Sequence, residues 1–395
     1  MIMNVAGPIM ALTLAERAKR AAKVAGQFAD TVDKNGRFPQ EGMDALKAER
    51  LMGLMVSPDF GGEGATLTQI ADVCGILGQA CASTAMTYAM HQIQMASLVD
   101  HAAGSAWHEK FLRRICEDQL LIASATSEAG IGGNLRNSIC AIEVDGDRVR
   151  LEKDATVISY GANADAVMVT SRRHSEAAHS DQVATIFLKE QYSLERTAVW
   201  DTLGMRGTCS DGYLFKAEGP AEQILPKPFA EIAAQSMLAV SHLLWGALWF
   251  GIAADAVARA QSFVRSAARK TPGQTPPGAL RLAEASSLLQ LVKANVVAGL
   301  KQFENAKGEP DALNAMSFAV AMNNVKIGTS QTILTIINHC MLICGIAGYK
   351  NGTPFSLGRH LRDAHSAQLM ISNDRILGNT STMLLVNKQD TSLLG

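Results

Sequence analysis

Apolar positions recur at helical spacing over residues 12–33, "LTLAERAKRAAKVAGQFADTVD", and predict an opening amphipathic helix. "FPQEGMDALKAERLMGLM" predicts a second, with Pro39 near its first turn. "SPDFGGEGAT" carries a proline and three glycines and reads as a loop. "TLTQIADVCGILGQACASTAMTYAMHQIQMASLVDHAA" gives one or two further helices, and "SAWHEKFLRRICEDQ" is amphipathic. Near residue 121 the period changes from helical to alternating. "ICAIEVDGDRVRLEKDATVISYG" alternates apolar and polar residues about a turn at Asp145-Gly146, the pattern of a hairpin. "DAVMVTSRR", "QVATIFLKE" and "GYLFKAEGP" read as short strands. From about 229 four long apolar helices return, the first two divided by the breaker "TPGQTPPG", and such helices pack as a bundle. The pattern divides the α+β chain into an all-α domain over 1–120, a β domain over 121–228 and a helical bundle over 229–395.

Composition adds limits. Hydrophobic residues make up 48% of the 395 and aromatics only 5%, which suits a large helix-rich core. A net charge of -1 gives no electrostatic case for nucleic acid or an anionic membrane. The seven cysteines form no CxxC pair, so neither a disulfide framework nor a zinc or other metal site is expected, and a reduced, cytoplasmic setting is. Cys340 and Cys344 read as buried packing on an apolar helix. The opening segment lacks the features of a signal peptide, and no clean run of about 18 apolar residues predicts a membrane span.

Four stretches set in this α/β/α order resemble the acyl-CoA dehydrogenase superfamily. "FPQEGMDALKAERLMGLMVSPDFGGEGAT" is similar to its opening signature. "SATSEAGIGGNLRNS" stands where that family has its Thr-Glu-Pro, Gly-Ser-Asp flavin loop. "LGMRGTCSDGYLF" is close to the mid-chain signature, and "GIAGYKNGTPFSLGRHLRD" resembles the Gly-Gly-x-Gly-Tyr and Arg-Asp segment. The resemblance implies a middle β-barrel or sandwich and a C-terminal four-helix bundle. It also implies a homotetramer built as a dimer of dimers, with FAD (or FMN) between the β domain and the bundle. The reaction it implies is α,β-dehydrogenation of an acyl thioester in fatty acid metabolism, with electron-transfer flavoprotein as partner.

The resemblance carries roles residue by residue. Thr126 and Ser127 stand at the flavin-contacting hydroxyl, and Gly132 and Gly133 let backbone approach a pyrophosphate. "ATVISYGANAD" corresponds to the family's Trp-Ile-Thr-Asn strand, with Val157 for Trp, then Ile158, and Ser159 for the Thr that approaches flavin N5. Arg265 and Arg269 stand near the family's cross-subunit arginine, but Pro272 replaces its Phe. Gly345 and Gly348 keep part of a second contact loop, in which Ile346 fills a glycine position.

The catalytic glutamate is absent. Counting from Arg362-Asp363 it would fall at Ile371 or Ser372; the alternative position falls at Ser241, followed by His242. Asp374 is the nearest carboxylate, and it reads either as a relocated base or, with Ser372 and Asn373, as the cap of the helix "RILGNTSTMLLV". His91 is the other reactive candidate. In the reduced-flavin monooxygenase branch of the fold a histidine near this place faces the flavin, whereas a lone His on an apolar helix also reads as core. His360 and His365 read as surface residues. The leading function is a thioester dehydrogenase with Asp374 as base; the alternative is a two-component monooxygenase fed by a flavin reductase and using His91 and Ser159, and an inactive flavin-holding scaffold comes last.

Overall fold

The computed structural model describes residues 12–388 and 392. The stretch over 1–11, part of the segment read for a signal peptide, lies outside the described residues. The N-terminal domain holds α1 (Leu14–Asn35), α2 (Gln40–Ala48), α3 (Leu67–Ala80), α4 (Ala82–His101) and α5 (Ala106–Asp118). Helix α1 starts at a reciprocal cap, in which Thr13 accepts from the Glu16 amide and the Glu16 carboxylate accepts from the Thr13 amide. It buries Ala18, Ala21, Ala22, Ala25, Ala29 and Val32, the single stripe that its apolar spacing dictates.

The middle domain is two sheets. One has the order β1 (Ile122–Ala125), β4 (Ala166–Arg172), β5 (Gln182–Leu188); the other β2 (Glu143–Asp145), β3 (Arg148–Ala155), β7 (Gly212–Pro220), β6 (Tyr192–Ala198). The β2–β3 hairpin closes on Asp145 opposite Arg148, with Gly146 at φ 60°, a backbone that glycine adopts without strain. Phe187 of one sheet meets Phe215 of the other at 6.1 Å between ring centres, so the sheets face each other across an aromatic core. Strands β1 and β6 were not expected. The segment read as a continuing strand after Ala155 is instead a turn, with Tyr160 in the left-handed region.

In the C-terminal region α6 (Phe229–Ile232), a π-helical turn (Ala233–Met237) and α7 (Leu238–Lys270) run on as one rod. Then come α8 (Ala279–Ala306), α9 (Pro310–Asn314), α10 (Met316–Cys344), α11 (Ile346–Tyr349), α12 (Gly358–Leu369) and α13 (Asn373–Leu384). By length and composition alone the rod and α10 are apolar enough to cross a membrane; 83% of the rod's apolar window and 44% of that of α10 are buried within the protein. Glycines let α3 and α7 cross at backbone contact. A Cβ on Gly78 would lie 2.4 Å from the Leu248 carbonyl oxygen, and one on Gly251 2.3 Å from that of Gly75. That crossing locks the N-terminal domain to the bundle.

The mid-chain signature and the Arg-Asp segment form the junction of all three domains. The Met205 amide donates to the buried Asp363 carboxylate at 2.7 Å, and Arg362 bonds Asp33 of α1 and the Leu203 carbonyl. Burial pushes the Asp363 pKa up to about 6, although Arg359 pulls it the other way.

Candidate functional site

The site is built where the loop after β1, the turn after β3 and the start of α13 approach one another. Glu128 anchors the loop. Its buried carboxylate accepts from Ser138 Oγ at 2.7 Å and from the amides of Ile139 and Cys140, the latter at 2.6 Å. Lys153 of β3, fully buried, lies 3.7 Å from it and donates to the Thr170 carbonyl at 2.7 Å. Burial would raise the Glu128 pKa, but Ser138, Lys153 and the amides outweigh it and hold the carboxyl below the usual range. A buried ion pair this well bonded defines one loop conformation.

Ser127 Oγ donates to the Val157 carbonyl at 2.7 Å and accepts from the Val157 amide at 3.0 Å. Its hydroxyl proton is therefore engaged by the next turn. Thr126 is half-buried and keeps a free hydroxyl among the described residues. Gly132 and Gly133 lie exposed at φ 58° and 73°. Arg375 of α13 donates to both of their carbonyls, to Gly133 at 2.5 Å. A Cβ on Gly133 would meet that guanidinium at 2.4 Å, so the glycine is needed for the clamp.

Ser159 is buried in the turn after β3, not a strand serine on the surface. It ends a hydroxyl cluster: Ser210 Oγ donates to Ser159 Oγ at 2.8 Å, Thr208 Oγ1 lies 2.7 Å from Ser210 Oγ, and Thr208 Oγ1 also meets the Met205 carbonyl, which can only accept, at 2.9 Å. With Ser210 as donor, the Ser159 proton is left for its open end. Beside it Val157 is half-buried, and Ile158 is buried with its amide bonded to the Asp211 carbonyl.

His91 is not at this site. It is fully buried in α4, its Nε2 on the Met52 carbonyl at 3.0 Å and its Nδ1 accepting from the Ile122 amide at 3.1 Å. Burial lowers its pKa to about 4. The reading of His91 as a flavin-facing catalyst is therefore corrected to a core clasp that ties β1 to the N-terminal domain.

The place of the missing glutamate holds a lysine contact. Ile371 sits at φ 49°, a left-handed backbone that strains a β-branched residue. Its carbonyl accepts from Lys326 Nζ of α10 at 2.7 Å, and Asn373 Oδ1 accepts from the same nitrogen at 2.5 Å. Lys326 has no carboxylate partner among the described residues, and burial lowers its pKa to about 8. At the alternative position Ser241 Oγ donates to the Leu238 carbonyl of its own rod. His242 is buried, its pKa lowered to about 4 by burial and then by Lys326. Its Nδ1, and the indole nitrogens of Trp245 and Trp249, have no partner among the described residues. The Trp249 ring centre lies 5.9 Å from the lysine nitrogen.

Asp374 occupies the first turn of α13, exposed and without a hydrogen bond or ion pair among the described residues. Ser372 caps that helix by position, but no side chain bonds its end. Arg265 and Arg269 are exposed near the end of α7 and likewise unpaired. Gly345 caps α10 at φ 55°, and a Cβ on buried Gly348 would meet that of Cys344 at 2.7 Å. Glu128, Lys153, Ser210, Lys326 and Arg375 were all missed by sequence reasoning. Glu128 and Ser210 lay inside quoted signatures, and Lys153 carried a periodic signal: it shares the inward parity of Val149, Leu151 and Ala155 along β3.

Profiles of the acyl-CoA dehydrogenase N-terminal and C-terminal domains match residues 12–119 and 232–379. The chain belongs to the acyl-CoA dehydrogenase family. It is 24% identical over 360 residues to cyclohex-1-ene-1-carbonyl-CoA dehydrogenase of Syntrophus aciditrophicus, covering 87% of this chain and 82% of that protein. Among solved structures, FMN-bound TdsC of Paenibacillus sp. A11-2, a dibenzothiophene monooxygenase, superposes with a TM-score of 0.83 at 18% identity, over 96% of this chain and 98% of that one. Butyryl-CoA dehydrogenase of Megasphaera elsdenii gives 0.77 at 20% identity, over 98% and 100%. At these identities the superpositions establish the fold alone.

Membership makes this an oxidoreductase with a flavin cofactor, FAD or FMN. The residues present fit the group unevenly. The exposed Gly132–Gly133 turn leaves room for a pyrophosphate to approach its backbone, and the Ser159 hydroxyl suits the ring side. The adenine side is poorer, with Pro272 and Ile346 in place of family residues and Arg269 solvated.

Proposed function

We propose that this family member is a monooxygenase that uses reduced flavin delivered by a separate reductase and acts on an aromatic or amine substrate. One observation carries the reading: neither place from which the family's base works holds a carboxylate. Ile371 and Ser372 stand at one and Ser241 and His242 at the other, with the Lys326 ammonium bonded to the first. Taking a proton from the α carbon of a thioester requires a base within hydrogen-bond reach of it. Oxygen chemistry on a flavin has no such requirement.

When bound, the flavin supplies two electrons to dioxygen, one oxygen atom going to substrate and the other to water. The chain's part is binding and proton control. Gly132 and Gly133 would admit the cofactor, Arg375 and Glu128 fix their loop, and Ser159, which accepts from Ser210, would have its own hydroxyl proton free to donate to the bound group. The altered adenine side favours FMN over FAD and a weakly held oxidised form.

A second reading keeps the thioester dehydrogenase, with electron-transfer flavoprotein as acceptor and Asp374 as base. The full-length sequence likeness to acyl-CoA dehydrogenases favours it, and so does the position of Asp374 three residues beyond Ile371. In either reading the family's homotetramer, a dimer of dimers, is the assembly we propose.

The deciding experiment is the absorbance of the purified protein before and after anaerobic addition of an acyl-CoA panel. A colourless protein, or a yellow one indifferent to every thioester, that forms oxygenated product only with reductase and oxygen supports the monooxygenase. Bleaching by one thioester overturns it. Loss of that bleaching in Asp374→Asn, with flavin retained, would then assign the base.

A further inference from the structure

Several cationic side chains of this protein are matched from within. Arg17, Arg37 and Arg362 each lay both terminal nitrogens on one carboxylate, those of Glu63, Glu41 and Asp33. His360, expected at the surface, is 5% exposed, and with Arg259 it meets the Asp255 carboxylate, both at 2.6 Å. In each case the charge is spent inside the protein.

Arg375 of α13 is held in the same two-pronged way, but by neutral groups. Its terminal nitrogens donate to the carbonyls of Gly132 and Gly133. The two carbonyls fix the direction of the guanidinium and leave its charge uncompensated. No carboxylate pairs with it among the described residues. A guanidinium has five N–H donors, so Nε–H and one hydrogen on each terminal nitrogen remain free. Arg172 is also held by carbonyls, of Ile139, Ser175 and Ala177, but it makes four such bonds and has little left to offer.

The loop under the guanidinium suits an anion as well. Gly132 and Gly133 are exposed at φ 58° and 73°, and their amides bond no protein group among the described residues. Successive free amides in a turn are one way in which backbone holds phosphate oxygens. Glu128, the loop's own carboxylate, is buried and lies 3.7 Å from Lys153, so it does not oppose an anion at the exposed turn. Arg136, three residues past Gly133, is exposed with its guanidinium unbonded among the described residues. Two arginines without carboxylate partners thus stand against one unpaired carboxylate, that of Asp374.

We propose that Arg375 is the residue by which this chain recognises the phosphate of its flavin. The guanidinium keeps its two carbonyls, and its free N–H groups take phosphate oxygens together with the Gly132 and Gly133 amides. The contact that shapes the loop therefore also reads the ligand, and a flavin without phosphate loses the charge-assisted part of its binding. The site rests on the family's flavin cofactor and on neither reading of the reaction.

The test is titration calorimetry on the full chain with FMN, FAD and riboflavin, each oxidised and then photoreduced under nitrogen. FMN should bind at least about tenfold more tightly than riboflavin in the redox state that the protein holds better. Arg375→Gln should cut that ratio about tenfold while riboflavin affinity stays within about twofold. Arg375 is exposed, so this variant should fold. If it does not, Gly133→Ala sets a methyl group 2.4 Å from the guanidinium, pushes it off the loop and should lower the same ratio. FAD bound at least as tightly as FMN identifies the diphosphate as the ligand; FAD bound more weakly identifies the monoester. Equal losses of FMN and riboflavin affinity in the variant would make Arg375 a loop clamp only and overturn the site. So would a ratio that does not move, a wild type that binds FMN and riboflavin alike, or no FMN binding in either redox state. No arm uses substrate or turnover, so such a failure leaves the choice between the two reactions where it stands.

Discussion

Two buried nitrogen bases in this protein are treated in opposite ways. His91 sits among relaxed helices, and both ring nitrogens meet backbone groups, at 3.0 and 3.1 Å. Lys326 sits between α7, α10 and the turn before α13. Its ammonium holds a strained carbonyl and an amide oxygen, while His242 and two tryptophans beside it keep unpaired polar atoms. Most core polar groups that serve only architecture are bonded, although Gln92 Oε1, whose amide nitrogen shares the Met52 carbonyl with His91, is not. Unpaired ones next to a strained backbone mark a place where something else binds. The comparison places His91 in the framework, and we propose the Lys326 neighbourhood as the place that serves the reaction.

The strongest way to break that contrast is Lys326→Met, which keeps the length and removes the charge. It leaves the Ile371 carbonyl without its donor and Asn373 Oδ1 with only the 3.3 Å contact from Ser330 Oγ, a loss of about 3 to 4 kcal/mol. Because α13 then loosens, Arg375 should release the Gly132–Gly133 loop, and flavin affinity should fall about tenfold. Urea unfolding and flavin titration read the two effects. A stability loss with unchanged flavin affinity and turnover would make Lys326 another clasp.

His91 gives the next effect, and it appears only in acid. The folded ring stays neutral down to about pH 4, whereas the unfolded imidazole takes its proton near pH 6.5. Between these values the unfolded state binds more protons, so stability falls as pH drops. A shift of this size is worth about 3 kcal/mol at the acid end of that window. His91→Gln can keep both backbone bonds and cannot titrate. Its stability should decline less from pH 6.5 to 4 than that of the wild type, with turnover at neutral pH unchanged. His242 shifts in the same direction in both proteins and cancels in the difference. Equal acid sensitivity in the two would show that His91 is not held neutral.

The contrast also explains what could be read along the chain. The α, β, α texture, the α7–α8 break and the main strands follow from local periodicity, and the structure keeps them. Strand β1 has four residues, too few to display alternation, and β6 is an edge strand with most positions exposed. His91 looked reactive because its sequence neighbours are apolar; its partners, Met52 and Ile122, lie 39 and 31 residues away. Glu128 stood inside the flavin-loop signature, but its anchoring role depends on Lys153 from the next sheet. Lys326 is one lysine on an apolar helix, and what makes it unusual is a turn 45 residues further on. Pairings between distant segments leave no local pattern, so the fold was far more legible than the site.

The smallest expected change in stability is also the sharpest test of the strain at Ile371. Glycine adopts φ near 49° freely, so Ile371→Gly relieves about 1 to 2 kcal/mol of backbone strain. It also removes a half-buried side chain and adds chain entropy to the unfolded state, which together cost a similar amount. Net stability should move by less than about 1 kcal/mol. Turnover should not follow it. If the strained turn fixes the carbonyl that Lys326 grips, a glycine there lets the turn wander, and flavin-dependent turnover should fall about tenfold, or 1.4 kcal/mol in the barrier. A variant as stable and as active as the wild type would make the strain incidental. The Lys326 neighbourhood would then differ from that of His91 only in being less completely bonded.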